Sequence, residues 1–132
     1  MNNIVTRDEC LYRAVKRSQP STIDSTGRPT SALFKQDNGV SVDRDGQRDE
    51  QLIIDTVKAN FQKRFKGLVS VGADICIDNS MAVIPAPSSS NVYHAEIFEN
   101  EQKSPLSQLK ALILADSAKV VVLDNSVEWV SV

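Results

Sequence analysis

Residues 40–64, VSVDRDGQRDEQLIIDTVKANFQKR, change their hydrophobic period once, and that change decides the fold. Val40 and Val42 flank Ser41, the alternation of a short strand with two unlike faces. From residue 48 the spacing lengthens. Ile53, Val57 and Phe61 stand at i, i+4 and i+8, with Ile54 and Phe65 beside them, which is the stripe of an amphipathic helix over 48–64. Asp49 and Glu50 in its first turn and Lys63 and Arg64 in its last complement the helix dipole. Lys66-Gly67 supplies the expected stop, because glycine adopts the left-handed C′ conformation without strain.

Working back toward the N-terminus, residues 9–17 (ECLYRAVKR) are compatible with a strand carrying Leu11, Arg13 and Val15 on one face and Tyr12 and Ala14 on the other. Leu11, Ala14 and Val15 also stand at the i, i+3, i+4 spacing of a helix, and the strand is the preferred reading. Residues 18–30 have loop composition, and Pro20 and Pro29 push the residues before them out of helical geometry. Order resumes at residues 31–35, where Ala32, Leu33 and Phe34 call for burial. Asp37-Asn38-Gly39 then predicts a turn before the Val40 strand.

Toward the C-terminus, residues 68–73 and 81–84 read as strands, joined through 74–80 by an irregular connection or a short helical turn. Residues 85–91 are a loop by composition. Residues 92–98 (VYHAEIF) alternate as a strand, with Tyr93, Ala95 and Ile97 on one face and His94 and Glu96 on the other. Ser104 and Pro105 predict the cap and first residue of a second helix running to about residue 118. Residues 119–123 and 127–132 read as two closing strands around an Asp124-Asn125-Ser126 turn. The expectation is a single α+β domain over residues 1–132. Its twisted, mostly antiparallel sheet carries both main helices on one face.

The length of 132 residues suits one domain with its own core, and 41% apolar and 24% charged residues are globular values. No apolar run approaches the roughly 20 residues needed to cross a bilayer. The N-terminal residues carry no apolar leader, so a cytoplasmic protein without membrane contact is expected. Cys10 and Cys76 have no metal-ligand spacing and are expected as reduced thiols. Net charge is −2, unevenly divided: residues 1–66 hold 12 Lys/Arg against 9 Asp/Glu, and residues 67–132 hold 3 against 8. A half with so small an excess and few aromatics is only a weak signal for nucleic acid, since phosphate binding needs a clustered basic patch, and nucleic acid is the less expected partner.

His94 is the only histidine, hence the only side chain with an ordinary pKa near neutrality. Glu96 shares its strand face, and the serines, Ser41 among them, have no evident partner base apart from His94. His94, Glu96 and Ser41 are the candidates for any catalysis, though nothing local demands such an arrangement, with Arg13, Ser31, Asp43 and Arg44 as candidate binding groups. A metal needs more ligands than one histidine and one glutamate supply. The run Asp43-Arg44-Asp45-Gly46 fails as a calcium loop, since it would put Leu52 where a bidentate glutamate belongs. No dinucleotide, P-loop, nucleophile-elbow or zinc-protease motif occurs, and no cofactor is implied. Tyr12-Arg13, Thr30-Ser31 and Ser41 touch on the pattern of ADP-ribosyltransferases. The chain departs from it at Glu96 and Glu99, which would face opposite sides of a strand where that family needs two acids on one side.

Leu-Tyr-Arg-Ala-Val at 11–15, Thr-Ser-Ala-Leu-Phe at 30–34 followed by Gly-Val-Ser-Val-Asp-Arg at 39–44, and Tyr-His-Ala-Glu-Ile at 93–97 occur together in this chain. In that combination it resembles a family of small, uncharacterised bacterial proteins of about this length. The resemblance implies one domain and a shared polar surface, and it carries no activity. If the three motifs meet, Arg13, Ser31, Ser41, Asp43, Arg44, His94 and Glu96 form one cluster. Two functions are expected first, with nucleic-acid binding without chemistry through the basic N-terminal half as a weaker third. One is a non-enzymatic interaction module of accessory or immunity type that binds another protein. The other is a small enzyme acting on a nucleotide or nucleic-acid phosphate, with Arg13, Arg28 and Arg44 holding the anion and His94 as acid or base.

Overall fold

The alternating runs pair edge to edge into one six-stranded antiparallel sheet in a computed structural model that describes residues 3–36 and 38–130. In chain order the elements are β1 (Cys10–Lys16), β2 (Val40–Arg44), α1 (Glu50–Phe61), β3 (Phe65–Gly72), α2 (Ala73–Asp78), β4 (Ala82–Pro85), β5 (His94–Phe98), α3 (Gln108–Ser117) and β6 (Lys119–Leu123). Short 3-10 turns occupy Pro20–Thr22, Ser31–Phe34 and Gln62–Arg64. Across the sheet the strands run β4-β5-β2-β1-β3-β6. The result is a small single-domain α+β fold.

The two faces of this sheet are covered by different helices. Leu11 and Val15 of β1, Val40 and Val42 of β2, Val69 and Val71 of β3 and Ala95 and Ile97 of β5 point to one side. There they pack with Ala111, Leu114 and Ala115 of α3, Cys76 of α2, and Leu33 and Phe34 of the 3-10 turn. Leu11, Phe34, Ile97 and Leu114 are fully buried, each worth roughly 2 kcal/mol of apolar transfer. Residues of the other parity, Tyr12 in β1 and Phe65 and Leu68 in β3, pack instead with Ile53 and Val57 of α1. The expectation that both main helices share a face is therefore corrected. The strand β3 is buried on both sides along almost its whole length, so each side needs its own helix. Because α1 sits over β1 and β3, the same face of β2, β5 and β4 carries no helix.

Three boundaries also differ from the sequence reading. Helix α1 ends earlier than expected, at Phe61, with Gln62 at φ +52° as its C-cap. Gly67 is not a helix stop. It lies inside β3, opposite both Val15 and Leu123. The second helix does not start at Pro105. Ser107 is its N-cap and accepts a hydrogen bond from the Lys110 amide at 3.3 Å, while the Glu99 carboxylate accepts one from the Ser107 amide at 2.9 Å.

The expected last strand over 127–132 does not form in residues 127–130, and residues 131–132 lie outside the described residues. The segment is held by side chains instead. Lys66, the extra residue of a β-bulge between the Val15–Gly67 and Lys16–Phe65 pairs, donates to the carbonyls of Asp124 (2.9 Å) and Val127 and lies 4.7 Å from the centre of the Trp129 ring. The irregular stretch expected at 74–80 is the short helix α2 and its turn. The Asn-Gly turn before β2 includes residue 37, which lies outside the described residues.

Candidate functional site

Uncovered sheet beside a helix leaves a groove, and the residues lining it come from four separate stretches of chain. It has a volume of about 370 Å³ and is floored by β1 and β2. Strand register sets the wall. Tyr12 pairs with Asp43, Asp43 with His94, and Ser41 with Glu96. Directly paired residues share a face, so Ser41, Asp43 and His94 all stand on the side that α1 leaves open. On β1, Ala14 and Lys16 continue that face from Tyr12. Asn60, Phe61 and Arg64, from the end of α1 and the turn after it, form the opposite bank.

Arg13 reaches the groove for a different reason. Its place in β1 gives it the parity of the core residues Leu11 and Val15. Strands β1 and β2 pair only at Leu11–Arg44 and Tyr12–Asp43 and then separate, while β1 continues along β3 to Lys16. The Arg13 guanidinium fills the split. Its Nε donates to the Leu33 carbonyl and one terminal nitrogen to the Ser41 carbonyl, each at 3.0 Å. With the Gln36 amide oriented to satisfy both neighbours, its oxygen accepts from the other terminal nitrogen at 2.9 Å and its nitrogen donates to the Gly39 carbonyl at 2.9 Å. Three of the five guanidinium N–H groups are thereby engaged, all by neutral acceptors. Burial pushes the Arg13 guanidinium down from 12.5 to about 10, the signature of a cation taken from water without a counter-charge.

Lys16 and Arg64 bring two more cations. Arg64 lies 5.0 Å and Lys16 5.8 Å from the centre of the Phe61 ring. Lys16 is held below its ordinary value by partial burial first, then by the charges of Arg13 and Arg64. Among the described residues, none of these three cations makes an ion pair with a carboxylate; the pairs that form are Arg7–Asp78, Arg44–Glu9 and Lys110–Glu99. The acid in the groove, Asp43, accepts a hydrogen bond through Oδ1 from the Asn91 amide nitrogen at 2.8 Å. No described residue hydrogen-bonds its Oδ2, the Ser41 hydroxyl or the His94 imidazole, and Ser41 and His94 make no hydrogen bond to each other.

The expected cluster thus forms in part. Arg13, Ser41, Asp43 and His94 line one groove. Glu96 is half-buried beside Ser41, between β2 and β4, where it pairs with Ile84 outside the groove lining. Ser31 lies on the other side of the sheet, where its hydroxyl accepts from the Gln108 side chain of α3 at 2.9 Å. Arg28 donates to the Ala118 carbonyl at 3.0 Å. Arg44 has the parity of Val40 and Val42, is buried, and holds Glu9 through Nε (2.7 Å) and a terminal nitrogen (2.9 Å). It borders a separate concavity with Thr6, Asp45 and Tyr93. The trio Arg13, Arg28 and Arg44 does not converge, because Arg44 and Asp43 are neighbours on a strand and so face opposite sides.

Lys16 and Arg64 are the groove residues that sequence reasoning missed. A signal for Lys16 exists, since it shares the parity of Tyr12 and Ala14. Arg64 reads as a helix-end charge, and only the fold brings it over Phe61. Among the described residues, no group of three or more His, Cys, Asp or Glu side chains is placed to hold a metal, and no helix is long and apolar enough to cross a membrane. Cys10 and Cys76 are free thiols. No family model, no curated protein and no solved structure matches this chain.

Proposed function

We propose that the protein is a non-enzymatic binding module whose groove between α1 and the open half of the sheet holds an anionic group, a phosphate or a carboxylate. The observation that carries this reading is the convergence of Arg13, Lys16 and Arg64 on one groove with no carboxylate of the described residues paired to any of them. Like charges gathered at a partly buried site cost stability. A bound anion offsets that cost, so the arrangement favours an anion in proportion to the strain it carries. Binding fits better than turnover because Ser41 has no hydrogen-bonded base, and a nucleophile of ordinary pKa needs one. The accessory-protein role fits the same groove where the anionic group belongs to a partner chain.

The test is thermal unfolding in sodium sulfate against sodium chloride at matched ionic strength. At about ten times its dissociation constant a groove-bound anion stabilises by about 1.4 kcal/mol, or roughly 5 °C in Tm. Sulfate also stabilises proteins generally by exclusion from their surface. The Lys16→Gln/Arg64→Gln double variant removes only the specific part. It should unfold at or slightly above the wild-type temperature in chloride, because the repulsion is gone, and should lose the extra stabilisation in sulfate. An equal sulfate increment in both proteins would count against the groove.

A further inference from the structure

Resting on the anionic groove just proposed, we infer that its ligand is a small phosphomonoester bearing hydroxyl groups, a sugar phosphate or mononucleotide, with the phosphate at Lys16 and Arg64 and a hydroxyl on Asp43. The groove has two chemically different ends. Lys16 lies four residues along β1 from Tyr12, about 13 Å at the strand rise, and its long side chain and that of Arg64 each approach the Phe61 ring. That end offers cations and an aromatic ring. At the other end Asp43 and His94 stand side by side by register and offer acceptors, while the Tyr12 hydroxyl donates to Glu50 at 3.0 Å. Asp43 is fixed by Asn91 through one oxygen, and its second oxygen is unengaged by any described residue.

A bare dianion uses only the first end, and the Asp43 carboxylate near its path repels it. A ligand that brings a donor to Asp43 turns that repulsion into a charge-assisted hydrogen bond. Hydroxyls of a sugar supply such donors within a few bonds of the phosphate, and carboxylate recognition of sugar hydroxyls is a recurrent use of an acid in nucleotide sites. The Ser41 hydroxyl and His94 imidazole lie on the same wall and can donate to or accept from further hydroxyls. A volume of about 370 Å³ falls in the range of small-molecule sites. A plain carboxylate ligand leaves the Asp43 end unused.

Calorimetric titration of the wild-type protein with methyl phosphate and with ribose 5-phosphate tests this without depending on any variant. Ribose 5-phosphate should bind about tenfold more tightly, the worth of one hydrogen bond to a charged group. In Asp43→Asn that preference should fall to about twofold, with methyl phosphate bound as in wild type or slightly better, since a repelling charge is gone. If both ligands bind wild type equally, the hydroxyl-bearing ligand is ruled out and the anionic groove stands. If neither binds, both readings fall. If Asp43→Asn weakens the two ligands alike, Asp43 acts on the groove as a whole, and its assignment to a hydroxyl is wrong.

Discussion

Glu9→Gln is expected to lower stability by about 3–4 kcal/mol, roughly 10–15 °C in Tm. Arg44 is buried at 3% side-chain exposure and Glu9 at 13%, and their paired contacts hold the start of β1 to the end of β2. Taking away the carboxylate removes the opposite charge of a buried ion pair, and losing one member of such a pair is the costly case. Burial alone would push the Glu9 carboxyl up. The Arg44 guanidinium and the Thr6 amide outweigh it and hold the group below its ordinary 4.5. A depressed acid pKa contributes in full above the unfolded value and loses its contribution as pH falls through the folded one. The gap between wild type and Glu9→Gln, read by urea unfolding, should thus be largest near neutrality and shrink below pH 4.5. A gap of the same size at about pH 3.5 would show that the pair is not its source.

Gly67→Ala should be nearly as damaging, at about 3 kcal/mol. A β-carbon at residue 67 would lie 2.5 Å from the carbonyl oxygen of Val122 and 3.3 Å from the α-carbon of Leu123. Both are backbone atoms of β6, so no rotamer change relieves the contact. The edge strand itself has to move away. Amide exchange should accelerate in β6 first, with β1 and β2 keeping their protection, and unfolding free energy should fall with it. Stability unchanged within about 0.5 kcal/mol would mean that β6 is held less closely to β3 than the register indicates.

The strands were legible wherever one face meets the core and the other meets water. Val40 and Val42, and Ala95 and Ile97, sit on buried faces because alternation and burial have the same period in β2 and β5, whereas β1 is covered on both faces at Tyr12. The split of the helices between faces was harder to see, and the clue lay in β3. Leu68, Val69 and Val71 are apolar at both parities, which marks a strand covered on both sides. Gly67 misled for a physical reason. Glycine serves a helix stop and a close backbone approach equally well, and only the position of β6 separates the two. Ser104-Pro105 carries a strong helix-start pattern, yet the Glu99 carboxylate takes the amide of Ser107 and moves the start to that residue.

The site was legible in the same uneven way. Ser41, Asp43 and His94 share a face by simple counting along β2 and β5, and cross-strand register does the rest. Counting also sends Arg44 to the opposite face, so its inclusion in the expected cluster overlooked strand parity. Arg13 lines the groove on grounds the sequence does not contain. Its parity is that of the core, and it reaches the groove only because β1 and β2 part after Tyr12. Arg64 depends on packing across the molecule that no local pattern encodes.

The central claim is that Arg13, Lys16 and Arg64 together form an anion site. Its most direct measurement is an amide and arginine-side-chain NMR titration with inorganic phosphate at constant ionic strength. The account predicts saturable shifts at Lys16, Ser41, Asn60, Arg64 and Asn91 and at the Arg13 Nε–H, with a rise in the Lys16 pKa as the anion offsets its neighbours' charge. Residues around Thr6, Glu9 and Tyr93 should not move. Absence of saturable shifts in the groove, or shifts confined to exposed cations elsewhere such as Arg7 and Lys119, would contradict it.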